Sequence, residues 1–319
     1  MKHCFRIKSP MLESYFSSKK GSLLVNPYFS LFFVSLIWGF NFSIIKHGVM
    51  LIGPLAFSFL RFILSSIVMM VVLWLTEGNP FIEKKDIGYF LFLGGIGFGI
   101  YQPLWSYGLK LTLASHSALI LSISPVVVIL IAFFKKEEFI NWYNFVGVGI
   151  GFLGVAFLIW QGGGGSSLSP IILGDTLTLL AAVCWGLYSY YGKNMVMKYS
   201  PLKTSCWCIL FGTLIMFPIS YSEAKNLDFS QFTLTVHLSL GYGVFLAALV
   251  AYIIWMNGVK KLGASRTSSF QYVTQVFGVL GAWIFFKEPL GSKFFIGMIM
   301  ISLGVWLTQR KPRQMEVIN

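Results

Sequence analysis

The polar side chains best suited to handling a solute lie inside long apolar stretches. Toward the C-terminus, Ser268, Gln271, Tyr272 and Gln275 stand at i, i+3, i+4 and i+7, the spacing of one helical face. Two amides, a hydroxyl and a phenol offer donors and acceptors to a polar molecule. The same groups also serve helix-to-helix hydrogen bonding; we read the face as cavity lining. Arg61 sits seven residues into an apolar run that starts at residue 54, roughly 10 Å deep at ~1.5 Å per residue. Three partners suit it: surface water reached by snorkelling, Asp175, or a solute carboxylate. His116 is of the residue type suited to proton coupling, and near a helix end it equally suits a structural hydrogen bond. Asp175, with Thr178 close by, fits a helix cap or a charge partner. Pro125 removes one helical hydrogen bond, which either kinks the helix or frees a carbonyl. Glu138 and Glu288 end two apolar runs beside lysines, where surface pairing and gate closure are both open. Asn41 one turn beyond Trp38, then Gln102 with Trp105, then Trp185 with Tyr188, complete the candidate binding set.

These residues need transmembrane helices to position them. Of 319 residues, 56% are hydrophobic and 11% charged, against roughly 25% charged in a soluble domain. Such a chain has too few polar groups to cover a water-facing surface. Apolar runs reach the ~20 residues that cross a bilayer as helix, and we expect ten, near 28–48, 54–76, 87–109, 112–134, 142–160, 171–192, 203–221, 236–257, 264–286 and 292–309. The fold class is an all-α polytopic membrane protein with ten transmembrane helices. Strand-type alternation is absent from runs such as Pro125 to Phe134, which excludes an outer-membrane barrel.

The 24 Lys and Arg outnumber the 11 Asp and Glu. In a soluble domain that would point to nucleic acid; here we read it as orientation and expect no nucleic-acid partner. Eighteen basic residues fall on the side of the N-terminal tail and five on the other, with Arg61 inside a span. The positive-inside rule then puts both termini in the cytoplasm, an even number of crossings, in the cytoplasmic (inner) membrane. Residues 1–26 read as a basic cytoplasmic tail suited to anionic lipid, with no apolar segment or cleavage site of a signal peptide. Cys4, Cys184, Cys206 and Cys208 form no disulfide framework. No metal site, cofactor or phosphate-cradling motif is expected. An intramembrane enzyme is excluded by count, since Asp175 is the one acid well within an expected span and a catalytic dyad needs two.

The second half of the chain repeats the first. At an offset of 147, Trp38, Gly39 and Lys46 fall on Trp185, Gly186 and Lys193. At an offset of 150, Trp105, Gly108, Lys110, Ala114, Ser115, Glu138 and Gly154 fall on Trp255, Gly258, Lys260, Ala264, Ser265, Glu288 and Gly304. Matches of Trp, Lys and Glu in one register are hard to obtain by chance between leucine-rich spans. The organisation is a tail (1–26), a five-helix repeat (27–160), a Gly/Ser linker (161–170), a second five-helix repeat (171–309) and a tail (310–319). Five is odd, so the two repeats are inverted across the bilayer, a construction typical of secondary transporters.

The quoted motifs also carry a resemblance to a known family. Trp38-Gly39, Arg61, Ala114-Ser115-His116-Ser117-Ala118, Ser124-Pro125, Glu138 and Gly147 to Gly154-Val155 resemble one EamA domain. Trp185-Gly186, Gly263-Ala264-Ser265, Glu288-Pro289 and Gly304-Val305 resemble a second. The chain looks like an EamA-type member of the drug/metabolite transporter superfamily over residues 28–309. It departs from the family at Gln275, where a proline matching Pro125 is more usual, and at Lys135-Lys136. The resemblance implies ten helices, cytoplasmic termini, and export or exchange of small metabolites, often amino acids.

Together these readings point to a secondary transporter of small polar metabolites, amino acids first, working by alternating access. Its partners are a small-molecule solute and the lipid bilayer, with a proton or counter-solute as an open coupling choice. A nucleoside-like or cofactor-like solute is the alternative within transport, and a passive channel or scaffold the alternative outside it. Direction and oligomeric state stay open.

Overall fold

The computed structural model describes residues 26–135, part of 142–157, and 170–308 apart from 269, 289 and 290. The expected tails, the Gly/Ser linker, most of the expected span 142–160 and Glu138 lie outside the described residues. Within them the chain is helical, without strands. The helices are α1 (Pro27–Ile52), α2 (Pro54–Glu77), α3 (Lys84–Leu111), α4 (Ala114–Phe134), α5 (Pro170–Lys198), α6 (Pro201–Ala224), α7 (Leu234–Leu262), α8 (Ala264–Phe286) and α9 (Ser292–Thr308). The first eight are long and apolar enough to cross a membrane. The expected tenth span is α9, whose 17 residues fall short of the others.

Local chemistry sets the helix starts. Asn26 accepts the Tyr28 amide at 2.9 Å ahead of Pro27, and Ser200 accepts the Lys203 amide at 2.9 Å ahead of Pro201. Side-chain caps satisfy orphan amides, and proline is pre-set for the first turn. A single residue, Gly53 at φ 89°, separates α1 from α2, and Gly263 at φ 87° separates α7 from α8. That left-handed backbone is open to glycine at little cost. These two turns mark opposite ends of the bundle, called below the Gly53 end and the Gly263 end.

The α2 start is capped from afar by Glu223 at the end of α6, whose carboxylate accepts the amides of Leu55 (2.8 Å) and Ala56 (3.1 Å) and the Tyr107 hydroxyl (2.8 Å). A carboxylate there also meets the positive end of the helix dipole.

Three helices are irregular. Helix α4 breaks at Ser122 and Ile123 and restarts at Ser124, with Pro125 in the first turn of the new segment. A kink at Pro125 is therefore a full break. Helices α3 and α7 each contain a π-helical stretch, Gly95–Ile100 and Tyr242–Val250, at positions that correspond at an offset near 150.

Packing is closest where side chains are smallest. A Cβ added at Gly39 of α1 would lie 2.2 Å from Phe277 Cβ and 2.8 Å from the Thr274 carbonyl of α8. A Cβ at Gly186 of α5 would lie 2.6 Å from Val127 Cβ and 2.8 Å from the Ser124 carbonyl of α4. The two contacts correspond residue for residue at the offsets of 147 and 150. Small residues at crossings let backbones approach where no hydrophobic drive separates lipid from protein. Outward, Trp74, Leu75, Phe134, Leu238 and Ile299 are each more than half exposed. A continuous apolar exterior around a polar-lined interior fits a bilayer and no aqueous surface.

Candidate functional site

A small cavity of about 40 Å³ lies between α1, α2, α3, α4, α5, α7 and α8. Six of the residues expected to bind a solute line it: Asn41, Arg61, Gln102, Trp105, Trp185 and Gln271. Six more were missed: Trp38, Phe42, Tyr101, Leu121, Tyr252 and Thr274. Two of these carried a signal, because the repeat pairs Trp38 with Trp185 and, at the offset of 150, Tyr252 with Gln102.

Residues related by the repeat meet each other here. The Trp38 and Trp185 rings stand edge to face with centroids 5.4 Å apart, and Gln102 Nε2 approaches the Tyr252 hydroxyl at 3.5 Å. Trp38 also packs against Tyr252 (5.3 Å) and Trp255 (5.1 Å), and Tyr101 leans on Trp185 (5.5 Å). The Trp38 indole donates to the Ala247 carbonyl at 2.9 Å, inside the π-helical stretch of α7. The result is a rigid aromatic wall. Among the described residues the buried Asn41 Oδ1, Gln102 Oε1, Trp105 Nε1 and Trp185 Nε1 have no hydrogen-bond partner in the protein.

Arg61 does not snorkel. It is 3% exposed, its guanidinium carbon 4.4 Å from the Phe62 ring centroid and its stem seated on Gly243, where an added Cβ would lie 2.6 Å from Arg61 Cδ. Nor does it pair with Asp175. That carboxylate accepts the Thr112 hydroxyl and lies 3.2 Å from His116 Nδ1, at the Gly53 end. Asp175 is thus in hydrogen-bond contact with His116 and Thr112 rather than with Arg61, and it is fully buried.

The rest of the expected α8 face is divided. Gln271 and Thr274 reach the cavity, whereas Ser268, Tyr272 and Gln275 do not. The Ser268 hydroxyl donates to the Ser265 carbonyl at 2.9 Å, Tyr272 is half-buried against the core, and Gln275 is buried with both amide atoms unpartnered among the described residues. Tyr188 is fully buried behind the wall, against Phe98 and Trp185 at 5.3 Å each. Ser268, Tyr272, Gln275 and Tyr188 thus lie outside the lining of this cavity, and on α8 it is Thr274 rather than Gln275 that faces it where the helix packs on Gly39.

The Gly53 end is tightly tied. Glu288 accepts the Ala114 amide (2.8 Å), the Ser115 amide (3.0 Å) and the Ser115 hydroxyl, so it caps α4 in full burial and is not a surface pair. Lys46 Nζ donates to the Thr112 carbonyl at 2.6 Å. At the Gly263 end two clefts of about 330 and 320 Å³ flank Lys193: one lined by Lys135, Tyr191 and Asn194, the other by Gly263, Ala264, Ser265 and Arg266. No group of three or more His, Cys, Asp or Glu that suits a metal occurs among the described residues.

Known proteins match the chain over most of its length. An uncharacterized transporter of Bacillus subtilis (strain 168), YyaM, is 28% identical over 286 residues, 88% of this chain and 92% of its own length. A probable amino-acid metabolite efflux pump of Escherichia coli (strain K12) is 25% identical over 86% of this chain and 91% of its own. A probable terminal-alkyne amino-acid exporter of Streptantibioticus cattleyicolor is 22% identical over 86% and 90%. One solved crystal structure aligns with a TM-score of 0.61 at 16% identity over 87% of this chain and 96% of the other, which speaks to the fold. The EamA-like transporter family matches residues 26–160 and again 172–310. With both halves matched and a polar, aromatic cavity between them, the chain belongs to the EamA-like transporter family.

Proposed function

We propose that this protein is a secondary transporter that carries small metabolites of the amino-acid type across the cytoplasmic membrane by alternating access, as exporter or exchanger. The observation that carries this reading is the cavity at mid-depth, where Trp38 meets Trp185 and Gln102 meets Tyr252. Partners at a constant repeat offset touch each other only near an axis that relates the two repeats. A solute held on that axis meets equivalent surroundings when either half moves, the condition for opening to both sides with similar energy.

The two ends support the same reading. Lys46 and Ala114-Ser115 are locked at the Gly53 end, while their repeat equivalents, Lys193 and Ala264-Ser265, flank open clefts at the Gly263 end. The positive-inside rule makes the Gly263 end cytoplasmic, so this arrangement is closed outside and parted inside. Alternating access exchanges the two conditions. In this account residues 27–160 and 171–309 are inverted five-helix repeats, and both termini are cytoplasmic. The names of two relatives, a probable amino-acid metabolite efflux pump and a probable amino-acid exporter, support the solute class.

The test is counterflow of labelled amino acids and their derivatives in proteoliposomes. Flux should fall with Gln271→Ala, Gln102→Ala and Arg61→Ala; unchanged flux in all three rejects the site, and single-channel currents without counterflow reject the carrier.

A further inference from the structure

We propose that the cavity selects solutes with an unbalanced carboxylate, organic acids of one net negative charge rather than zwitterions, and that Arg61 anchors that carboxylate. The inference rests on the transporter reading above and moves its solute class from free amino acids to their N-acylated or deaminated acids.

The charge balance of the site carries the argument. Arg61 lines the cavity, is 3% exposed, and among the described residues forms no ion pair and no side-chain hydrogen bond. No Asp, Glu or His lines the cavity with it. The two buried acids among the described residues are engaged elsewhere, Asp175 by Thr112 and His116 and Glu288 by the start of α4. A buried cation without a counter-ion is strongly unfavourable, and an incoming anion relieves it. A guanidinium also matches a carboxylate in shape, through two parallel N–H donors.

The seat of Arg61 is built. Gly243 leaves space for its stem in the π-helical stretch of α7, and the Phe62 ring lies under its guanidinium. A zwitterion would bring an ammonium into the same small space with no acid to receive it. What the cavity offers instead are the unpartnered oxygens of Asn41 and Gln102, which accept from neutral amide or hydroxyl donors. Trp38, Tyr101, Trp185 and Tyr252 pack on one another at ring separations between 5.3 and 5.9 Å, edge to face or tilted, and give the cavity an aromatic lining for the apolar body of such an acid. Their faces are the competing receptor for an ammonium, and this competition decides the test.

The test uses one ring and varies only charge: phenylalanine, its N-acetyl derivative, its amide, and the deaminated acid 3-phenylpropanoate. Binding to the purified full chain is read by thermal shift and titration, and transport by counterflow in proteoliposomes. The N-acetyl and deaminated acids are expected to bind at least about tenfold tighter than phenylalanine, with no binding of the amide. Arg61→Gln should weaken both acids about 10- to 100-fold, the loss of a charge-assisted pair. If Arg61→Gln does not fold, Gly243→Ala, which keeps the charge and displaces the stem, should weaken the acids selectively. Phenylalanine or the amide binding as tightly as the acids overturns the proposal, as does unchanged acid affinity in Arg61→Gln or Gly243→Ala, or no binding by any of the four. Acid-selective binding without flux leaves the charge preference standing and overturns the transporter reading. Equal flux of phenylalanine and the acids does the reverse.

Discussion

Trp38 and Trp185 occupy the same place in the two halves of the chain and meet edge to face with centroids 5.4 Å apart. Their indole nitrogens differ: that of Trp38 donates to the Ala247 carbonyl at 2.9 Å, while that of Trp185 is buried without a partner among the described residues. Phenylalanine keeps a ring in the wall and removes the donor. Trp38→Phe should cost about 1 kcal/mol more stability than Trp185→Phe, the net worth of one hydrogen bond. Thermal unfolding in detergent measures both; equal losses would show that the Ala247 contact contributes nothing.

Gly39 and Gly186 set the approach of α1 to α8 and of α5 to α4. Gly39→Ala and Gly186→Ala should each destabilise by about 1–3 kcal/mol through overpacking. Gly88, which has nothing within 4 Å of an added Cβ, should accept alanine within about 0.5 kcal/mol, the usual range for surface changes. Size-exclusion profiles of the three variants after heating give the comparison.

Glu288, just beyond α8, receives two amides and a hydroxyl at the start of α4, and the proposed alternating access makes this tie a closure of the Gly53 end. Glu288→Ala leaves those donors unpaired and should shift the population toward an open Gly53 end. In a background with Cys4, Cys184, Cys206 and Cys208 replaced, a cysteine at Leu121 should react faster with a membrane-impermeant thiol reagent when Glu288 is alanine. An unchanged rate would mean that Glu288 only caps the helix.

Glu223 joins three parts of the bundle, accepting from Leu55, Ala56 and Tyr107. Glu223→Ala should cost about 0.5–2 kcal/mol, the range for lost helix caps. Tyr107→Phe removes one of the three bonds and should cost less. The reverse order in a melting series would place the stabilisation in the tyrosine.

Glu83, outside the spans, is held below the usual carboxylate range by hydrogen bonds from Lys85 and Lys198, at 2.8 and 2.9 Å. A depressed folded-state pKa adds stability above the unfolded value, near 4.3, and that contribution is lost as pH falls through the lower folded value. Since the group is exposed, the effect is small and screened. Glu83→Gln should lower the melting temperature slightly at neutral pH and low salt, and not at all in high salt or strong acid.

Composition alone determined that this chain is helical and lives in a membrane, because so few charges cannot cover a water-facing surface. The Trp, Gly, Lys and Glu matches at 147 and 150 exposed two related halves, since residue identity survives in register even where spans are uniformly apolar. Polar residues inside those spans marked Asn41, Arg61, Gln102 and Gln271 as candidates, because hydrocarbon makes an unpartnered polar group costly. Tertiary packing decided which of them share one cavity. A helical wheel defines faces but not which face turns inward. That choice was made at Gly39, where α8 packs so closely that Thr274 rather than Gln275 turns to the cavity. The π-helical stretches of α3 and α7 change the helical period locally, so residues beyond them, such as Tyr252, do not follow a uniform 3.6-residue count. Likewise the sequence offered Arg61 three partners, and burial on Gly243 took it away from two of them, surface water and Asp175.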